Sequence, residues 1–235
     1  MPVIELVGPT NQMRWGVSTI TPISGSSFAA PAILAVAIQA QQFEGWFSAL
    51  AFPMVNKAVL LAGTRDANAD GAIGKGNKWS SQPSDAEDGA GQINYAYVSD
   101  TLNNNRYYWT DLADSNFVSC GTNCRTYVVT SISIPYTVTA RVALAWQSCM
   151  TTEAGGATLN NDLDLALNCG SHATCAQTTL SDTVTSELEM LERPACGIRT
   201  ADRVCSIEIR IKNGAALASC GSTTTERVGV AWSLH

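Results

Sequence analysis

The stretch CSIEIRI, residues 205–211, alternates apolar and polar side chains from its first residue to its last. Successive side chains of a β-strand point to opposite faces, so this pattern predicts a strand with one buried and one solvent-facing side. The same alternation recurs in RVALAWQ at residues 141–147, in DLDLAL at residues 162–167 and in VGVAWSL at residues 228–234. Turn-forming residues separate these segments. Together they predict an antiparallel β-sandwich or jelly roll in the second half of the chain.

The first half has a different pattern. FAAPAILAVAIQAQQ, residues 28–42, is almost entirely apolar or small, and its proline falls in the first turn of the helix that it predicts. A second helix is predicted over MVNKAVLLAG, residues 54–63, and its apolar residues are expected to pack on the core of the same domain. A helix that is apolar on nearly every side belongs in the middle of a domain. The change of pattern predicts two domains, residues 1–98 and 99–235.

Composition and charge exclude several classes of partner. Apolar residues make up 46% of the 235-residue chain and charged residues 14%, a balance typical of a folded protein with large cores. The net charge is −6 and no basic stripe follows any face, so nucleic acid is not an expected partner. The longest apolar stretch, residues 28–40, is shorter than a bilayer-spanning helix, so no membrane is expected either.

The cysteines are confined to the predicted sandwich. All eight lie between Cys120 and Cys220, and residues 1–119 contain none. An even number among turn-rich strands predicts up to four disulfides and a secreted, extracellular protein, although eight cysteines allow 105 pairings. Zinc is the alternative, and the spacing argues against it, because Cys120 and Cys124 form a single CxxxC with only His172 nearby.

Ser27 is the candidate nucleophile. It stands immediately before the predicted buried helix, where unpaired backbone N–H groups and the positive end of the helix dipole can stabilise an oxyanion. Small neighbours at Gly25 and Ala29 let a substrate carbonyl approach. The structural alternative is that this serine only caps the helix.

The wider sequence around Ser27 resembles the subtilisin-like serine peptidases. GSSFAAP at residues 25–31 is similar to the nucleophile motif of that family, usually written G-T-S-x-A-x-P. KAVLLAGT at residues 57–64 looks like the family's next helix, and GAGQIN at residues 89–94 looks like its closing GxG turn. NDLDL at residues 161–165, followed by strands, is similar to the β-sandwich appended to many such peptidases. The resemblance spans nearly the whole chain.

The resemblance implies a fold and an activity. Residues 1–98 would be the C-terminal fragment of an α/β domain with a parallel sheet, followed by a disulfide-rich all-β sandwich. Ser27 would be the acylated nucleophile of a serine endopeptidase acting on protein or peptide substrates without a catalytic cofactor. The motif departs from the family pattern at Ser26, where Thr is commoner, and at Ala32, where His is frequent.

The resemblance also implies missing parts. The family's order of catalytic residues is Asp, His and Ser, and the 26 residues before Ser27 contain neither Asp nor His. His172 and His235 are expected on the surface of the sandwich, away from Ser27. The chain alone is therefore expected to be inactive, and its first partner would be the missing N-terminal part of its own catalytic domain.

A calcium loop is predicted separately. DANADG, residues 66–71, matches the opening of the D-x-[DN]-x-[DN]-G pattern, with Asp66, Asn68 and Asp70 as candidate oxygen ligands for a structural Ca²⁺. The twelfth position is Asn77 instead of the usual Glu, and a solvated loop is the alternative. Asp162 and Asp164, two residues apart on a predicted strand, either bind a cation or face water.

Two other function classes stay open. The chain is either part of a peptidase or a non-catalytic secreted binding module derived from one, whose sandwich recognises protein or glycan. An esterase of the α/β-hydrolase type is a third hypothesis. Its nucleophile turn requires G-x-S-x-G, whereas position 29 is Ala, so the sequence disfavours it.

Overall fold

A computed structural model describes residues 26–44, 52–65, 91–147, 161–169, 178–181, 188–193, 195, 202–211, 214–218 and 224–235. The helices are α1 (Ser26–Glu44), α2 (Phe52–Ala62) and α3 (Tyr95–Asn103). The strands are β1 (Thr64–Arg65), β2 (Gln92–Ile93), β3 (Tyr107–Ala113), β4 (Val118–Gly121), β5 (Cys124–Pro135), β6 (Ala140–Trp146), β7 (Leu163–Asn168), β8 (Thr178–Ser181), β9 (Leu188–Arg193), β10 (Asp202–Ile211) and β11 (Thr225–Leu234). Both predicted helices and all four quoted strand segments are confirmed.

The sandwich consists of a five-stranded sheet and a four-stranded sheet. The five-stranded sheet has the order β4-β5-β10-β7-β8, and the four-stranded sheet has the order β3-β11-β6-β9. Every neighbouring pair runs antiparallel. The predicted antiparallel sandwich is therefore confirmed.

The main core lies between the two sheets. It is built from the alternate residues that the sequence pattern assigned to the apolar side of each strand, with Trp146 as its largest fully buried side chain. The strands contribute Leu112, Ile132, Ile134, Val142, Leu144, Trp146, Leu163, Leu165, Leu167, Ile207, Ile209, Ile211, Val228, Val230 and Trp232.

A second core lies on the outer face of the four-stranded sheet. The outward positions of β6 and β11 carry very small residues, among them Ala143, Ala145, Gly229 and Ala231. Helix α2 packs directly on this flat surface, and α3 packs beside it on β11. The approach is so close that a Cβ on Gly229 would lie 2.5 Å from the carbonyl carbon of Met54 in α2. As a result β6 is buried on both faces, whereas the sequence predicted half-buried strands.

The second core joins the helices to the sandwich. Its buried members are Ala40, Val55, Ala58, Val59, Leu61, Ala62, Val98, Leu102, Ala143, Ala145, Leu188, Met190 and Ala231. The apolar residues of α2 were expected to pack on the core of a separate first domain. They pack instead on the sandwich.

The prediction of a parallel-sheet α/β domain over residues 1–98 is wrong. In the described part of that region the strands are β1 and β2, each two residues long and paired antiparallel. Of the two apolar helices, α2 does cover a sheet, but that sheet is the four-stranded half of the sandwich, whereas α1 contacts α2 and α3. The predicted boundary at residue 98 falls within α3 and stays a prediction.

Candidate functional site

Ser27 is the second residue of α1, which begins at Ser26. The first backbone N–H groups of any α-helix lack partners within the helix, so Ser27 lies at the end where an anion is stabilised. The sequence predicted Ser27 immediately before the helix, whereas the helix already includes it in its first turn. The role of Ser27 as nucleophile stays a prediction.

Helix α1 is less buried than its sequence predicts. Val36 and Ala40 face the second core, and α1 contacts both α2 and α3. Leu34 and Ile38, one turn apart, are 59% and 41% exposed. The expectation that this helix lies in the middle of a domain is wrong for the described chain, because it packs on the helical layer along one side only.

Two of the segments that resemble the peptidase family meet in the structure. Thr64 at the end of the first pairs with Ile93 in the second, and the N–H of Asn94 donates to the carbonyl of Gly63 over 2.8 Å. Asn94 then caps α3, because its side chain accepts the N–H of Ala96. The β1–β2 pair therefore joins the end of α2 to the start of α3.

Arg141 joins the β1–β2 pair to the sandwich. It lies on the outward face of β6 and is almost completely buried. One terminal nitrogen donates to the carbonyl and, over 2.7 Å, to the hydroxyl of Thr64. Its Nε and other terminal nitrogen donate to Glu192 on β9. A single guanidinium thus links the end of α2 to two strands.

The end of β11 makes a second polar link. The hydroxyl of Ser233 donates to the carbonyl of Ala62 at the end of α2, over 2.6 Å. The ring of His235 stacks on Tyr97 of α3, with centroids 4.3 Å apart and planes 16° apart. Nδ1 of His235 lies 3.5 Å from the Ser233 hydroxyl. His235 is thus partly buried, whereas the sequence predicted an exposed surface residue.

The environment of His235 favours its neutral form. Burial, and then the positive charge of Arg141, lower its pKa from 6.5 to about 4. The ring is neutral at physiological pH and is held by Tyr97. The His235 ring is therefore part of the junction between α3 and β11.

The predicted calcium ligands Asp66, Asn68 and Asp70 lie outside the described residues, as does His172. Asp164 is described: it lies on the outer face of β7, cross-strand from Arg210. Among the described residues no group of three or more His, Cys, Asp or Glu is arranged to hold a metal ion. The calcium site stays a prediction.

Asn161 has a structural role that the sequence did not indicate. Its side-chain amide donates to the carbonyl of Ala218 and to Glu226, and its side-chain oxygen accepts the N–H of Ala218. Its own carbonyl accepts the indole N–H of Trp146. The NDLDL segment is thus an anchor for the 214–218 loop.

Glu208 is the centre of a polar cluster on the outer face of the five-stranded sheet. Burial raises the pKa of Glu208, but hydrogen bonds from Ser206, Arg210 and Asn168 together lower it by more. The net pKa therefore lies below the usual value. The carboxylate is stabilised by these donors, and the cluster is a structural network.

The aromatic run at residues 107–109 divides between the two faces of β3. The hydroxyls of Tyr108 and Tyr127 lie 2.8 Å apart and join the two sheets, and burial raises the pKa of Tyr127 to about 12. Tyr107 packs against the second core, whereas Trp109 is about half exposed.

The four described cysteines form two disulfides. Cys120 pairs with Cys124 across the β4–β5 hairpin, and Cys169 pairs with Cys205 between β7 and β10. For these four residues the expectation of disulfides is confirmed over zinc, and it fits an oxidising compartment.

Helices of the described chain lack the combined length and apolar character needed to cross a bilayer. No protein-family model matches the sequence, and a search of curated proteins finds no match.

Proposed function

We propose that this chain is the sandwich-bearing part of a secreted serine endopeptidase in which Ser27 is the acylated nucleophile. The observation that carries the proposal is the coincidence of the GSSFAAP sequence with the start of α1. Backbone N–H groups in the first turn of the helix would donate to the oxyanion formed when Ser27 attacks a peptide carbonyl.

The exposed side of α1 supports the proposal that the enzyme has a further part, which covers this helix. Leu34 and Ile38 present an apolar surface on a helix whose only charged residue is Glu44. A covering polypeptide segment would bury that surface and would bring the Asp and His that Ser27 needs. His235 is not a substitute base in this proposal, because its ring is engaged by Tyr97.

Fluorophosphonate labelling and peptide hydrolysis test the proposal. The purified 235-residue chain is expected to show no turnover that depends on Ser27. A longer chain, expressed from the same reading frame extended upstream, is expected to be labelled and to cleave peptides. Ser27→Ala should abolish both signals, a loss of at least about 10³-fold.

Ser26→Ala is the matched control, since it alters the neighbouring hydroxyl in the same helical turn, and it should leave most of the activity. An upstream frame without Asp and His motifs would overturn the proposal. Equal activity of the extended chain and its Ser27→Ala variant would overturn it as well.

A second candidate function is a secreted binding module without catalysis. The outer face of the five-stranded sheet favours it, since Val118, Val128 and Val204 on that face are 61%, 48% and 69% exposed. Binding of protein or glycan that is unchanged by Ser27→Ala and weakened at least about tenfold by Val204→Glu would support this candidate.

A further inference from the structure

The junction between the helical layer and the sandwich contains a histidine, His235, whose ordinary pKa of 6.5 is lowered to about 4. His235 directly follows β11. Its backbone N–H and carbonyl exchange hydrogen bonds with those of Thr139 in the β5–β6 turn. Its ring meets Tyr97 near the first turn of α3. The stacked rings therefore join α3 to the end of β11. These two elements also meet through apolar packing and through the hydrogen bond that the Thr101 hydroxyl donates to the Trp232 carbonyl.

The His235 ring lies in the field of a nearby charged group. Arg141 on β6 is the cation near it, and Glu192 on β9 is bound to Arg141. Tyr97 on α3 contributes a neutral ring, Ser233 a hydroxyl, and α2 the carbonyl of Ala62. The nearby carboxylate is already held by Arg141, so a proton on His235 would add a second positive charge beside the guanidinium.

We propose that the stack of His235 on Tyr97 is a pH-sensitive latch, which holds α3 and the helical layer on the four-stranded sheet at neutral pH and releases them in acid. Because α1 contacts α3, release would also displace α1, which contains Ser27 in its first turn. That last consequence rests on the proposed function, whereas the latch itself does not.

The direction of the pH effect on the latch follows from the pKa of His235. It is about 4 with the latch closed, against an ordinary value of 6.5, so the open form binds the proton more tightly. The contribution of the latch is complete above pH 6.5, declines as the pH falls from 6.5 to 4, and does not change further below that. The full shift equals a factor of about 300 in the opening equilibrium, and partial access to water reduces it to about 10- to 100-fold.

Hydrogen exchange measured by mass spectrometry tests the latch. Protection factors of α3 amides, corrected for intrinsic exchange, are compared at about pH 7.5 and about pH 4.5. In the parent chain, protection of α3 should fall about 10- to 100-fold relative to amides of β10 in the same molecule. His235→Phe keeps a ring on Tyr97 but cannot be protonated, so its α3 protection should not fall relative to β10.

His235→Gln is the second non-titrating variant and is expected to lack the pH response even if the Phe ring packs poorly. His172→Gln removes the other histidine and should keep the full response of the parent. A parent chain with no relative loss in α3, or equal losses in the parent and both His235 variants, would overturn the latch. Ser27→Ala should leave the response unchanged, so failure of the proposed peptidase activity is distinguishable from failure of the latch.

Discussion

Arg141 shows how much of the junction depends on one side chain. Its guanidinium is 2% exposed, and its partner Glu192 is 21% exposed. Removing such a charge from water is costly, and the cost is offset only when the remaining hydrogen bonds are made, as they are here with Thr64. A partner left behind in a dry environment would retain its desolvation cost without compensation.

We expect Arg141→Met to lower the free energy of unfolding by about 3 kcal/mol, because it removes the buried guanidinium that donates to the Thr64 carbonyl and to Glu192. Arg227→Met is the matched control. It removes an exposed ion pair with Asp111 in the same sheet and should cost less than about 1 kcal/mol. Urea unfolding of both variants measures the difference, and equal losses would contradict the role of Arg141.

Residue roles at the junction could be predicted from sequence only where they act locally. Asn94 precedes a helix and caps it, which is a pattern of neighbouring residues. The bond from Ser233 to Ala62 joins positions 171 residues apart, and nothing near either residue indicates the other. The stack of His235 on Tyr97 was missed for the same reason.

Among the described elements, α2 and β11 have the most extensive contact between a helix and a strand. Large outward side chains would hold a helix away from the sheet, but β11 offers Gly229 and Ala231 there. The backbone of α2 near Met54 and Val55 fills the space where a Cβ on residue 229 would lie. Position 229 is therefore restricted to glycine by this close approach.

Gly229→Ala should push α2 away from the sheet and reduce stability by about 1–3 kcal/mol, since the atoms in the way belong to the helix backbone. Thr225→Ala, at the exposed start of the same strand, is the control and should change stability by less than about 0.5 kcal/mol. Thermal and urea unfolding give the values. A neutral effect of Gly229→Ala would show that the helix does not lie against this strand.

The strand type of β6, β7, β10 and β11 followed from their alternation, but their packing partners did not. Alternation in β6 and β11 was interpreted as half burial, because one side of each strand carries larger apolar residues. Apart from Arg141, Thr225 and Arg227, the other side carries Ala, Gly and Ser, which are small enough for a helix to approach, and this run of small residues was the available indication. The small outward residues could have identified the sheet that α2 covers.

At the scale of the whole molecule, the described chain has three layers: helices, a four-stranded sheet and a five-stranded sheet. The four-stranded sheet is the central layer and carries a core on each face. The two described disulfides both lie in the five-stranded sheet. They constrain the unfolded chain to very different degrees, because one closes a far longer loop than the other.

Loss of the Cys169–Cys205 bridge in the double Cys→Ala variant should reduce the free energy of unfolding by about 4 kcal/mol, as expected for a sequence separation of 36. Loss of Cys120–Cys124, with a separation of 4, should cost about 2 kcal/mol. Unfolding in urea under non-reducing conditions compares the two variants. A larger loss for the hairpin bridge would contradict this order.

The sequence by itself determined helices α1 and α2, strands β6, β7, β10 and β11, their antiparallel arrangement and the use of cysteine in disulfides. These properties depend on the spacing of residues within one segment and on composition. Only the tertiary structure decided that α2 covers the sandwich instead of a parallel sheet, and that Arg141 and His235 join the layers. An apolar face favours burial without specifying its partner, because the hydrophobic effect depends on the area removed from water and has no direction.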